Sequence, residues 1–358
     1  MAVKQPTDTG AARNPGAVMT VPTIDIAGWY NGGESGREAI ARDVDLAART
    51  VGFMQIVGHG IPKGAASDLA AAMDGFFALP LAEKRSYRPS NPSINRGYSA
   101  PRSERLSHSL GVYSPDDLFE AFNVGSQLGD FPGLDLDPLS YSKNIWPADP
   151  AQFRDRVSTW FDCVQGLGAT MTDVFALALG LPEGYFTNFT DHSVDMLRMN
   201  NYQVPEGDVR LEPGQLGMGP HTDFGIVTLL WADPLPGLQI LDTSGAWHDV
   251  VPQPGALLVN LGDLLARWTN DRWRSTMHRV LAPIDAEGRP FRRRSAAFFL
   301  DGNADAVITT LPGCLHDGID PYESVTVAEH LRSKLAGSRG LELNANAARE
   351  ASRLPTTA

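Results

Sequence analysis

The spacing of apolar residues changes character along this chain, and that change organises it. Between about residues 21 and 190 helical and strand-like periods alternate. VPTIDI reads as a short strand. Ile40, Val44, Ala47 and Val51 then recur at helical spacing, which predicts an amphipathic helix ending at Gly52. FMQIV predicts a strand, and VGHGIP turns it into a second helix with Leu69, Met73 and Phe76 on one face. KRSYRPSNPSINRGYSAPRSERL is rich in Pro, Ser and Arg without a period, so it reads as a long loop, and such loops tend to be functional. DLFEAFNVG (117–125) has strand character. The longest helix is expected from Ala151 to Leu179, where Phe153, Val157, Trp160, Val164, Met171 and Val174 keep helical spacing until Gly180-Leu181-Pro182 stops it. That stripe reads as core.

From about residue 191 to 305 the period shortens. MLRMNNYQV, IVTLLWA, LQILD, WHDVVP, ALLVNLGD and SAAFFLD are short apolar or alternating runs separated by Pro, Gly and Asp turns, and DPLPG marks a tight connection. Even spacing of short strands points to a sandwich or barrel. A terminal helix is expected over about 324–336, and polar, small-residue segments at 1–20 and 340–358 read as flexible tails. No internal repeat stands out, so 21–339 is expected to be one domain.

Composition narrows the function classes. With 42% hydrophobic and 20% charged residues the chain has the make-up of an ordinary globular protein. A net charge of −12 argues against a nucleic-acid partner, which would want a basic patch. Two cysteines are too few for a disulfide framework. No run reaches the roughly 18 apolar residues of a membrane span, and the first residues lack a signal-peptide core. The expectation is a cytoplasmic protein with a small-molecule partner and no membrane or nucleic-acid partner. Its oligomeric state is left open.

The candidate chemistry sits in GPHTDFGIVTLLWAD and RSTMHRV. Residues two apart on or just beyond a strand share a face, so His221 and Asp223 can offer two ligands from one short segment. His278, about fifty-five residues after Asp223, can return from a distant strand as the third. Two histidines and a carboxylate form the facial triad that holds non-haem Fe(II) with positions left open. A structural zinc site would want a fourth ligand, and neither Cys163 nor Cys314 has the spacing; a catalytic zinc site stays open on the triad alone. Arg293 and Ser295, in RRRSAAFFLDG, weigh against it. A guanidinium fork matches a carboxylate bidentately, and the hydroxyl lies on the same strand face. Arg292 and Arg294 should point the other way, solvated or packed on the surface. His59 in its Gly-His-Gly turn, His248 in an exposed hairpin, and His108, His192, His316 and His330 lack ligand-like context.

HTDFG with TLL after it, STMHRV, and R-x-S followed by FF resemble the isopenicillin N synthase-like branch of the Fe(II)/2-oxoglutarate-dependent dioxygenases. The similarity runs from VPTIDIAGW to about Leu335. It implies a double-stranded β-helix (jelly-roll) core with supporting helices, iron held by His221, Asp223 and His278, and 2-oxoglutarate and O2 as cosubstrates. Arg293 and Ser295 would grip the distal carboxylate of 2-oxoglutarate, with Asn200 and Tyr202 matching the family's N-x-Y pair. Arg96-Gly97-Tyr98 resembles a piece near the substrate pocket, and Tyr98, Met218 and Phe299 are candidate substrate-binding walls. The E-x-F element of 117–125 and the NxGD turn at Asn260–Asp263 read as structural supports. The activity implied is hydroxylation or desaturation of a small organic, specialised metabolite with release of succinate and CO2. Two alternatives remain: an iron oxidase that works without 2-oxoglutarate, and a non-catalytic ligand-binding relative.

Overall fold

Residues 20–107, 115–204, 211–212, 214–315 and 321–338 are described by a computed structural model. The expected tails fall almost wholly outside these residues, as do His108 and His316. In chain order the elements begin with β1 (Thr23–Asp25), α1 (Ala27–Asn31), α2 (Gly33–Thr50), β2 (Phe53–Val57), α3 (Lys63–Phe77), α4 (Leu81–Ser86), β3 (Gly97–Ser99) and β4 (Phe119–Gly125). Next come α5 (Phe153–Ala178), α6 (Thr187–Thr190), β5 (Met196–Tyr202), β6 (Met218–His221), β7 (Val227–Ala232), β8 (Leu238–Leu241), β9 (Trp247–Asp249) and β10 (Leu257–Leu261). The chain closes with α7 (Asp263–Trp268), β11 (His278–Val280), β12 (Arg293–Leu300), β13 (Val307–Ile308), β14 (Val325–Thr326) and α8 (Val327–Ser338).

Two sheets carry the site. The larger has eight strands in the order β1-β2-β10-β7-β12-β5-β4-β3, and the smaller runs β6-β11-β8-β9. Phe53, Tyr202 and Leu258 of the first pack in one apolar cluster with Met218, Leu238, Ile240 and Val280 of the second. The sheets therefore face each other as a jelly-roll core does, without closing edge to edge. On the other face of the large sheet lie α2, α3 and α5, whose buried stripes (Ile40, Val44; Leu69, Met73, Phe76; Val157, Trp160, Val164, Met171) are those that the periodicity selected. They form the main core with Leu197, Met199, Leu229 and Phe298.

Three expectations need correction. Residues 84–106 are not one loop: α4 ends inside the segment and β3 adds an edge strand to β4. The buried Lys84 Nζ donates to Phe77 O at 3.0 Å and to Glu120 Oε2 at 2.8 Å, pinning α4, a pairing too distant for a local pattern to show. Gly97 turns the chain into β3 at φ +72°, a left-handed conformation that glycine adopts without steric cost. His248 is half-buried rather than exposed, because Asp242 holds its Nε2 at 2.6 Å across the hairpin. Arg292 and Arg294 do point away from Arg293's face, but both bind Asp74 of α3, at 2.6 and 2.8 Å, and Arg294 also binds Asp233 at 2.9 Å. The back of β12 is thereby tied to a helix. His59 has the structural role expected of its turn, accepting from Ile61 N and lying 3.1 Å from Gly255 O.

Phe76 sits at the centre of the helix–sheet interface, with ring contacts to Phe77, Tyr87, Tyr98, Phe122 and Phe153. Replacing it with Ala removes a fully buried ring from a packed cluster and should cost about 3–5 kcal/mol of stability. Urea unfolding followed by circular dichroism measures this, and a loss below about 1 kcal/mol would show that the cluster is not the core described.

Candidate active site

The register of β12 against its neighbours lays out the floor of a cavity of about 770 Å³ between the sheets. Arg293 lies opposite Tyr202, Ser295 opposite Asn200, Ala297 opposite Arg198 and Phe299 opposite Met196. On the other side Ala297 meets Leu230 and Phe299 meets Thr228. Alternate residues of a strand share a face, so these side chains all turn toward the cavity. The R-x-S and N-x-Y pairs are thus one patch formed by two adjacent strands.

His221 is the last residue of β6 and pairs directly with His278, the first of β11. Asp223 lies two residues beyond the strand end. One ligand atom from each of the three falls within 4.8 Å of the others, and all three residues are buried. Asp223 Oδ1 stands 3.8 Å from His221 Nε2 and 3.6 Å from His278 Nε2. His221 Nδ1 is 2.8 Å from Gly219 O, and His278 Nδ1 is 3.1 Å from Thr276 O. A carbonyl can only accept, so each Nδ1 carries the proton and each Nε2 presents a lone pair to the centre. Burial and the neighbouring His278 push the His221 imidazole below its ordinary value, which favours the neutral form that a metal needs.

The second oxygen of Asp223 is held separately. Thr228 Oγ1 donates to Oδ2 at 2.5 Å and Asn260 Nδ2 at 2.6 Å, which leaves Oδ1 to face the imidazoles. Asn260 therefore braces the carboxylate directly, closer to the site than the purely structural role expected of its turn. That turn packs tightly on the Asp223 segment: a Cβ on Gly262 would stand 2.1 Å from Gly225 O. The close approach lets Asp263 N donate to Asp223 O at 2.8 Å.

At the other end Arg293 is buried under Tyr202, its guanidinium carbon 5.6 Å from the ring centroid. Its Nε and Nη2 are buried with no hydrogen-bond partner. Buried charged donors without hydrogen-bond partners are expensive, so this fork suits an anion. Burial holds its pKa below the ordinary guanidinium value. Beside it Asn200 Nδ2 donates to Ser295 Oγ at 3.3 Å. This donor set fits a dicarboxylic cosubstrate, and the triad fits a divalent metal.

Met218 and Phe299 line the cavity. Tyr98 also lines it, from within β3 rather than from a loop, and its hydroxyl donates to Glu120 Oε2 at 2.5 Å. Three cavity groups escaped the sequence reading. Arg198 pairs with Glu104 at 2.9 Å, and Asp301 is a buried carboxyl held well above its usual range by desolvation and by Asp195 and Asp223. The even-numbered face of β5 would have revealed Arg198; nothing local marks Glu104 or Asp301.

Residues 21–149 match a family described as the non-haem dioxygenase in morphine synthesis N-terminal region, and residues 194–302 match the 2OG-Fe(II) oxygenase superfamily. The chain is 37% identical to the 2-oxoglutarate-Fe(II) type oxidoreductase hxnY of Emericella nidulans, over 89% of this chain and 90% of that protein. It is 31% identical to validamycin A dioxygenase of Streptomyces hygroscopicus subsp. limoneus, covering 88% and 86%. The crystal structure of full-length Neurospora crassa T7H in complex with alpha-KG and 5-formyluracil superposes with a TM-score of 0.76 at 30% identity, covering 88% of this chain and 96% of that one.

Asn260→Ala leaves Asp223 Oδ2 with Thr228 alone. It should weaken divalent-metal binding about 10- to 100-fold without unfolding the protein. Chelator competition measures this, and unchanged metal retention would remove Asn260 from the support of the site.

Proposed function

The chain belongs to the 2OG-Fe(II) oxygenase superfamily, and we propose that it hydroxylates or desaturates a small organic, specialised metabolite in a cavity between its two sheets. It is a non-haem iron, 2-oxoglutarate-dependent dioxygenase, using Fe(II), 2-oxoglutarate and O2. Three assignments to its own residues are part of the proposal. His221, Asp223 and His278 hold the iron. Arg293 and Ser295 grip the distal carboxylate of 2-oxoglutarate, flanked by Asn200 and Tyr202. Tyr98, Met218 and Phe299 contribute to the substrate walls. The observation that carries the reading is the buried fork of Arg293, unpartnered at Nε and Nη2, in the same cavity as the triad.

When bound, the iron, cosubstrate and O2 supply the oxidising chemistry, with succinate and CO2 released. The protein supplies placement. The Nε2 atoms of His221 and His278, with one oxygen of Asp223, would hold the iron as a facial ligand set. Arg293 neutralises and orients the far carboxylate through paired N–H donors, and the Ser295 hydroxyl adds a further donor. Leu230, Leu238, Val280 and Phe299 form apolar walls that limit water around the site. One relative is named for validamycin A and the Neurospora crassa structure holds 5-formyluracil, both small organic molecules, which supports that substrate class. Among the described residues no helix is long and apolar enough to cross a membrane. A cytoplasmic setting is part of the same reading, supported by the free thiols of Cys163 and Cys314.

Anaerobic titration of the Fe(II)-loaded protein with 2-oxoglutarate should raise a weak visible charge-transfer band. Asp223→Ala should abolish it together with iron retention. Arg293→Ala should keep the iron but raise the 2-oxoglutarate requirement at least about 30-fold, the loss typical of truncating one partner of a buried charged pair. No band in protein shown to hold iron would sink the 2-oxoglutarate assignment and favour the oxidase alternative, which O2 consumption without 2-oxoglutarate would then reveal.

A further inference from the structure

Helix α8 presents two faces to the site. Ala328, Leu331, Arg332 and Leu335 recur at i, i+3, i+4 and i+7 and line the cavity. His330 and Lys334, themselves i and i+4, are buried on a different face. That second face meets the segment carrying Asp223. His330, buried on this face, lies beside the backbone of Phe224. Lys334 Nζ lies 5.5 Å from the centre of the Phe224 ring and 2.7 Å from Asp263 Oδ2, and both partners of this ion pair are 0% exposed. Asp263 Oδ2 also accepts from Thr222 Oγ1 at 3.0 Å, while Asp263 N donates to Asp223 O.

We propose that Lys334 is a positioning residue: through Asp263 it locks the 222–224 segment to α8, so the helix that walls the substrate cavity also sets the placement of the Asp223 carboxylate. The inference rests on the reading of His221, Asp223 and His278 as the metal site. Its physical argument is the kind of bond used. Taking an ammonium and a carboxylate wholly out of water costs several kcal/mol each before their attraction repays it, and apolar side chains of similar size hold a helix as well or better. What the pair adds is direction. One carboxylate oxygen is shared between Lys334 and Thr222, the residue between His221 and Asp223, so a shift of α8 moves the metal segment with it. Gly225 and Gly262 bring the two backbones together closely enough for that transmission.

The test uses Mn(II) as the probe, titrated against the full-length protein and followed by its EPR signal. Wild type should bind one Mn(II), and Asp223→Ala should not. Lys334→Met should bind at least about tenfold more weakly, the lower range for supports behind a ligand. Because that variant takes the Lys334 ammonium away from the buried Asp263 carboxylate, Lys334→Met with Asp263→Asn is measured beside it. The double variant should recover melting temperature toward wild type while its Mn(II) affinity stays reduced, which a merely structural role would not produce. Wild-type affinity in Lys334→Met, or its return in the double variant, overturns the inference. Absence of Mn(II) binding in wild type overturns the metal assignment and the inference with it, and is a distinct result from equal binding by wild type and variant.

Discussion

The antiparallel pairing of β12 with β5 and β7 is the constraint on which the site depends. Side chains alternate between the faces of a strand, so a slip of one residue would send Arg293 and Ser295 to the helical side and bring Arg292 and Arg294 into the cavity. The register is fixed from both faces. On the helical side Phe298 packs edge-on against Phe161 of α5, and Asp74 of α3 with Asp233 binds the two outward arginines. On the cavity side Arg293 is covered by Tyr202. Three consecutive arginines thus fall on two faces, Arg293 in the cavity and Arg292 and Arg294 on Asp74, and the pleat separates them.

Much of this is legible in the sequence. The helix stripes of α2, α3 and α5 have the period that burial requires, and the residues chosen from that period are those found buried. The triad was legible because its spacing is itself structural: His-x-Asp at a strand end shares a face, and the third ligand returns on a neighbouring strand. The R-x-S and N-x-Y pairs were found as separate patterns. That they face each other residue for residue follows from the β5–β12 register, which no local pattern contains.

What remained hidden shares one cause. Thr228, Asn260, Asp263 and Lys334 act on the metal segment through single hydrogen bonds and one ion pair formed between elements far apart in the chain. Asn260 and Asp263 belong to a recognisable turn, yet only the close packing of Gly262 on Gly225 shows that the turn touches the Asp223 segment. His248 was misjudged for a similar reason, since its burial depends on Asp242 across a hairpin. The segment 84–106 was misjudged because composition reports on the middle of a loop, whereas α4 and β3 are held at its ends by Lys84, Glu120 and the turn at Gly97.

The cavity is assembled from two kinds of material. His221, His278, Arg293 and Ser295 stand on paired strands, where a displaced side chain disturbs its neighbours at once. Its outer wall comes from residues 88–96 and from one face of α8, which carry no ladder of cross-strand bonds. Such a division makes the protein evolvable. Mutations can accumulate in the outer wall and redirect the enzyme to a new compound while the oxidising machinery stays intact. Anyone engineering it for another substrate has a natural library in that wall, bounded on α8 by the two positions that face inward to Phe224.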